Sequence, residues 1–120
     1  MDVVVPIYNE EEVLPFLLER LEAIFAPSRI REHAIKDVRF LFVDDGSTDR
    51  SAWILAEATQ RGLPAVLLRL SRTYGHQNAV SAGMAASRGD VAAVIDADLQ
   101  DPPELILEML EKWRDGADVV

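Results

Sequence analysis

Asp96 and Asp98 stand one residue apart, with Gln100 two positions further on and Asp101 beside it. In an extended segment alternate side chains point to the same side. Asp96, Asp98 and Gln100 can therefore present three hard oxygen ligands to one cation. Mg2+ or Mn2+ suits that set, and Mg2+ usually keeps waters and shares its remaining positions with phosphate oxygens. A cation held there would grip a diphosphate and neutralise the charge that grows on it as a bond to phosphate breaks. A plainer reading leaves Asp96 and Asp98 solvated at a strand end, with Asp101 capping the next helix.

Three more polar clusters carry usable chemistry. Pro6-Ile7-Tyr8-Asn9-Glu10 is the first, and Asp44-Asp45-Gly46-Ser47-Thr48-Asp49 is the second. The second is good turn chemistry, with Ser47 or Thr48 expected to cap a helix. Turn chemistry alone does not account for two adjacent carboxylates, and Asp45 is suited to accept a hydrogen bond from a base N–H. The third cluster, residues 71–77, holds Arg72, a natural cation for a base or phosphate, and His76 at a helix start. Both also fit an ordinary solvated surface, as does His33.

These clusters need elements to place them. Val3-Val4-Val5 is a β-branched run that Pro6 is expected to end. Val13, Leu14, Leu17, Leu18, Leu21, Ile24 and Phe25 then share one helical face. Asn9 and Glu12 resemble a capping box, and Pro15 fits a first turn if the helix begins near Glu12. Residues 27–37 read as a polar loop. Residues 38–43 form an almost wholly apolar strand, which implies cover on both faces.

A helix from the Gly46-Ser47-Thr48 turn to Gly62 comes next, then a strand at 65–70 and a small-residue helix at 75–88. A strand at 91–95 follows. Asp101-Pro102-Pro103-Glu104 reads as a helix start, with Leu105, Ile106, Met109, Leu110 and Trp113 as its buried stripe. Gly116 ends that helix, and residues 117–120 begin a fifth strand. Trp53 is expected in the core, and Gly83 serves close approach to either a ligand or the sheet. Successive β-α units call for a parallel α/β sheet with right-handed crossovers and helices on both faces. In such a sheet ligands collect at the carboxyl ends of the strands, where all four clusters fall.

Composition sets limits. Lys and Arg number 12 against 21 Asp and Glu, a formal charge of −9, which argues against nucleic acid as partner. The 120 residues are 49% hydrophobic, enough for one domain with a modest core. The absence of Cys excludes disulfides and thiolate metal sites and fits a cytoplasmic location. No apolar run approaches the roughly 20 residues of a membrane span, and the start has no signal-peptide pattern. The expectation is a soluble chain that forms part of a longer enzyme. Its open sheet edge would allow self-association.

Val3-Val4-Val5-Pro6-Ile7-Tyr8-Asn9-Glu10-Glu11, Val43-Asp44-Asp45-Gly46-Ser47-Thr48-Asp49, Leu70-Ser71-Arg72 with Gly75-His76-Gln77, and Asp96-Ala97-Asp98-Leu99-Gln100-Asp101-Pro102-Pro103-Glu104 occur in order. Together they resemble the inverting glycosyltransferase family 2. Within it they resemble the polyprenyl-phosphate branch of dolichol-phosphate mannose synthase and bactoprenol glucosyltransferases. The resemblance covers nearly the whole chain but only the amino-terminal part of a family member.

It implies a GT-A (Rossmann-like) sheet and a UDP- or GDP-sugar donor. It also implies a polyprenyl phosphate acceptor, an Mg2+ or Mn2+ cofactor and a cell-envelope role. Residues 1–120 would be the nucleotide-sugar-binding part, lacking the acceptor-binding half and any membrane helices. The longer enzyme would work at the cytoplasmic face of the membrane. By resemblance Pro6, Tyr8 and Glu10 line the nucleotide, and Asp45 with Asp44 meets the base or ribose. Arg72 is a further contact. Asp96, Asp98 and Gln100 hold metal and diphosphate, with Asp98 the catalytic candidate. Thr73 and Tyr74 stand where relatives often carry Asn and Phe.

Two other readings remain open on residues alone. A sugar-phosphate nucleotidyltransferase shares the sheet and the metal logic, but would carry a Gly-rich basic loop where Tyr8-Asn9-Glu10-Glu11-Glu12 is acidic. A non-catalytic interaction module would need none of the residues at the ligand edge.

Overall fold

The computed structural model describes residues 1–27, 29, 37–89, 91–98 and 103–116. Strands β1 (Asp2–Ile7), β2 (Arg39–Asp44), β3 (Ala65–Arg69) and β4 (Ala92–Val94) form one sheet in the order β3-β2-β1-β4, every pair parallel. Helices α1 (Leu14–Ile24), α2 (Ser51–Gln60), α3 (His76–Ala86) and α4 (Leu105–Arg114) alternate with them. The polar loop expected at 27–37, with His33, lies largely outside the described residues, and where it is described residues 27 and 29 are helical, contrary to expectation. Gln100, the Asp101 cap and the strand expected at 117–120 also lie outside the described residues.

The strand period of two sorts the core into layers. Val3, Val5, Ile7, Phe40 and Phe42 face a large cluster built with Leu14, Leu17 and Leu21 of α1, Leu55 of α2, and Ile106 and Leu110 of α4. Val4, Leu41 and Val43 face the other way, against Ala79 and Ala82 of α3. The expected cover on both faces of β2 is thus present. Gly83 settles its own two readings. A Cβ there would run into Val4 Cγ1 and come within 3.0 Å of Val43 Cγ2, so the glycine serves helix–sheet packing.

Pro6 does not end β1, contrary to expectation. Asp2 N–H bonds Val91 O, and Val4 O accepts Ile95 N–H, so the even-numbered residues of β1 face β4. Pro6 is next in that series and has no N–H to give. It halts pairing with β4 while Ile7 O still accepts Asp45 N–H on the β2 side. The strand continues on one side only.

The expected caps also differ. Asn9 and Glu12 form no capping box: α1 starts at Leu14, and Asn9 takes a left-handed φ of 52° and reaches across to the loop after β2. Neither Ser47 nor Thr48 caps α2, which begins at Ser51 with its N–H on Asp49 Oδ1 at 2.9 Å. Glu104 is engaged by Arg20, two contacts of 2.8 Å joining α1 to the start of α4. Leu107 is buried in α4, whereas Leu105 and Trp113 are partly exposed. Trp53 is 56% exposed, with the Arg50 guanidinium 4.5 Å from its ring centre. That distance is within cation–π range, a favourable contact for an exposed indole.

Beneath the far end of the sheet, the Asp2 carboxylate is buried. It accepts hydrogen bonds from Ser87 Oγ, the N–H groups of Arg88 and Gly89, and the Arg39 guanidinium. Burial alone would raise its pKa. These donors outweigh burial and hold it well below the usual carboxylate range.

Candidate functional site

At the carboxyl ends of the strands lies a cleft of about 430 Å3. Its walls include Pro6, Tyr8 and Glu10 after β1, Asp45 after β2, and Thr73, Gly75 and His76 after β3. Asp96 and Asp98 after β4 complete it. The cleft opens where Pro6 parts β1 from β4.

Hydrogen bonds between loops distant in sequence give it shape. Asn9 N–H bonds Ser47 Oγ at 2.9 Å, Glu10 N–H bonds Ser51 Oγ at 2.8 Å, and Glu11 N–H bonds Asp49 Oδ2 at 3.1 Å. In return Asn9 Oδ1 accepts Thr48 N–H at 2.8 Å. The Ser47-Thr48-Asp49 stretch therefore stitches the first loop in place. Gly46, at φ 83°, lies where a Cβ would meet Thr73 Oγ1 at 2.7 Å, so only glycine lets the second and third loops touch.

Asp45, 4% exposed, takes Tyr74 N–H on Oδ1 at 2.7 Å and Gly75 N–H on Oδ2 at 3.0 Å. Its neighbour Asp44 is fully buried and does not line the cleft. Asp44 Oδ1 accepts Ser47 N–H at 3.0 Å, and Oδ2 lies 3.3 Å from Arg69 Nε in ion-pair range without hydrogen-bond geometry. Arg72 is also off the cleft wall, with its guanidinium 4.9 Å from the Tyr74 ring centre.

β4 ends at Val94, and residues 97 and 98 turn, so the extended segment expected to align Asp96 with Asp98 is not what forms. The alternation survives in another form, since Ala97 is buried between exposed Asp96 and Asp98. Both carboxylates reach the same cleft. His76 Nε2 stands 3.5 Å from Asp96 Oδ1. The pKa of Glu10 is raised, first by burial and then by the charges of Asp98, Asp49 and Asp96.

Among the described residues no three acidic or histidine side chains form a ready metal cage. The donor set nevertheless suits a divalent cation. Glu10, Asp45, Asp96 and Asp98 make the wall acidic, and an anionic ligand there needs a counter-charge. A cation that relies on two carboxylates completes its shell with phosphate oxygens and water.

Pro6, Tyr8, Glu10, Asp45, Asp96 and Asp98 are thus brought together as the sequence suggested, and Asp44 and Arg72 are not. Thr73, Gly75 and His76 join the wall as members of the third polar cluster, although no binding role was expected of Thr73 or Gly75 and His76 also fitted an ordinary surface. Their position just after β3 was the available signal.

The family model described as glycosyl transferase family 2 matches residues 2–120. The chain is 46% identical over 118 residues to the uncharacterised glycosyltransferase YkcC of Bacillus subtilis, covering 98% of this chain and 35% of that protein. It is 43% identical over 121 residues to the undecaprenyl-phosphate 4-deoxy-4-formamido-L-arabinose transferase of Enterobacter, covering 100% of this chain and 35% of that one. The chain spans about a third of the length of the curated relatives it matches. Among solved structures, TarS of S. aureus in complex with UDP-GlcNAc superposes with a TM-score of 0.74 at 23% identity, over 95% of this chain and 30% of that one. The mannosyltransferase PcManGT of Pyrobaculum calidifontis, in complex with GDP-Man and Mn2+, gives 0.70 at 24% identity, over 93% and 31%. The fold they share with this chain is GT-A.

Proposed function

The chain belongs to glycosyl transferase family 2, and on that footing we propose that it is the nucleotide-sugar-binding part of an enzyme that transfers a sugar, with inversion, to a polyprenyl phosphate. The donor is a UDP- or GDP-sugar. One observation carries this reading: Pro6, Tyr8, Glu10, Asp45, Asp96 and Asp98 meet on a single acidic cleft at the strand ends. The acceptor class is supported by the relatives named for undecaprenyl phosphate. Solved relatives with UDP-GlcNAc and GDP-Man support the donor class.

Asp96 and Asp98, with Gln100 beyond them, would hold Mg2+ or Mn2+. When bound, the cation supplies the charge that offsets the departing diphosphate. Tyr8, half exposed at the cleft, and Pro6 line the nucleotide. Asp45 keeps the loop after β3 in place against it. The acceptor phosphate has a second pKa of about 6, so at neutral pH it is largely a dianion and needs no strong base. Its oxygen attacks the anomeric carbon on the face opposite the nucleotide diphosphate. The new C–O bond forms as the old one breaks, and the electron pair leaves with the diphosphate. Asp98 is the chain's catalytic residue in this scheme. The longer enzyme would act at the cytoplasmic face of the membrane. No helix among the described residues is long and apolar enough to cross it.

Calorimetry of the chain with UDP and with GDP, each with and without Mn2+, tests the reading. Heat is expected only when nucleotide and cation are both present. Silence in every combination overturns it.

A further inference from the structure

His76 is the first residue of α3, and its imidazole joins two cleft walls that no strand pairing connects. One wall follows β3 and the other follows β4, at opposite edges of the sheet. The contact is Nε2 to Asp96 Oδ1 at 3.5 Å, in ion-pair range and longer than a formed hydrogen bond.

The backbone that presents His76 is fixed from both directions. Before it, Tyr74 and Gly75 give their N–H groups to the buried Asp45 carboxylate, and Gly75 takes a φ of 100° to start the helix. After it, Ala79 is buried and Gly83 seats α3 on Val4 and Val43. Asp96 has no such support from its own strand. It lies beyond the last rung of β4, with its side chain 51% exposed.

We propose that His76 is a positioning residue that orients Asp96 for a divalent cation, an inference that rests on the cation reading above. At 3.5 Å the pair is in charge-contact range without a formed hydrogen bond. As the cation binds, Nε2–H closes on one carboxylate oxygen of Asp96 and donates to it, leaving the other for the metal. The neutral Nε2–H tautomer and the imidazolium both carry that donor, so the role does not depend on charge. Partners of this kind fix the direction of a ligating carboxylate, and their loss typically lowers metal affinity about 10- to 100-fold.

The test is Mn2+ binding to the chain in the presence of UDP or GDP, followed by electron paramagnetic resonance. His76→Ala should bind Mn2+ about 10- to 100-fold more weakly. His76→Gln should stay near wild type, because its amide nitrogen reaches the place of Nε2, and His76→Asn should not. Thermal midpoints report whether each variant is folded. A readout without metal accompanies this: the ring nitrogen and proton shifts of His76 should move in Asp96→Asn and stay put in Asp98→Asn. Wild-type affinity in a folded His76→Ala, or ring shifts indifferent to Asp96→Asn, overturns the inference alone. A wild-type chain that binds no Mn2+ overturns the cation reading and the inference together.

Discussion

The carboxylate of Asp45 is clamped to the backbone of Gly75, whose N–H it accepts at 3.0 Å across the gap between the loops after β2 and β3. Its other oxygen takes Tyr74 N–H at 2.7 Å. The acid expected to meet a nucleotide base therefore also builds the wall the base would lie against. Each carboxylate oxygen has a further lone pair, so the two tasks are compatible.

Asp45→Ala should remove both bonds and leave two N–H groups unpaired, at a cost of about 2–3 kcal/mol. Urea unfolding measures the loss, and nucleotide binding should weaken with it. Stability unchanged from wild type would mean that the loop does not depend on the clamp.

Asp2 supplies a pH dependence whose sign is fixed. Its pKa is depressed in the folded chain, where the N–H groups of Arg88 and Gly89, the Arg39 guanidinium and Ser87 outweigh burial. The stability it contributes is complete above its unfolded pKa of about 3.9 and fades as pH falls below that value. Asp2→Asn should be less stable than wild type at pH 7, and the difference should shrink steadily as pH falls through 4 toward 2. Parallel unfolding curves for the two proteins across that range would refute the assignment.

At Gly83 an added methyl would collide with Val4 and crowd Val43. Overpacking typically costs about 1–3 kcal/mol, while Ala gains roughly 1 kcal/mol over Gly in helix propensity. Gly83→Ala should therefore lower the thermal midpoint despite that gain. A rise would show that α3 is free to lift off the sheet.

Asp98 crowds Glu10 with like charge. Asp98→Asn should lower the Glu10 pKa, because it removes one of the like charges that, after burial, raise it. The same change should abolish cation-dependent nucleotide binding. Side-chain NMR titration reads the first effect and calorimetry the second. An unmoved Glu10 pKa together with intact binding would contradict the proposed role.

The strand–helix alternation was legible because each element carries its own period. The cluster of Pro6, Tyr8, Glu10, Asp45, Asp96 and Asp98 was legible because a parallel sheet sends its strand ends to one edge. What escaped was the set of partnerships between distant loops. Asn9, Ser47, Thr48 and Asp49 all have the chemistry of helix caps, and nothing local shows that they bond one another across a separation of about 40 residues. Asp44 and Asp45 are adjacent and alike, and only the strand's alternation decides that one turns into the protein and the other into the cleft. Trp53 sits at helical spacing among apolar residues, yet its position on α2 leaves it on the outer side.

Pro6 has a consequence for how the cleft stays open. Any other residue at that position would bring an amide hydrogen level with the Ile95 carbonyl, and β1 and β4 would knit one step further. Asp96 would be drawn in alongside β1, and the gap at the cleft mouth would close like a fastener run past its stop. The pyrrolidine ring, by withholding a single hydrogen, ends the ladder between the two strands at the mouth of the cleft.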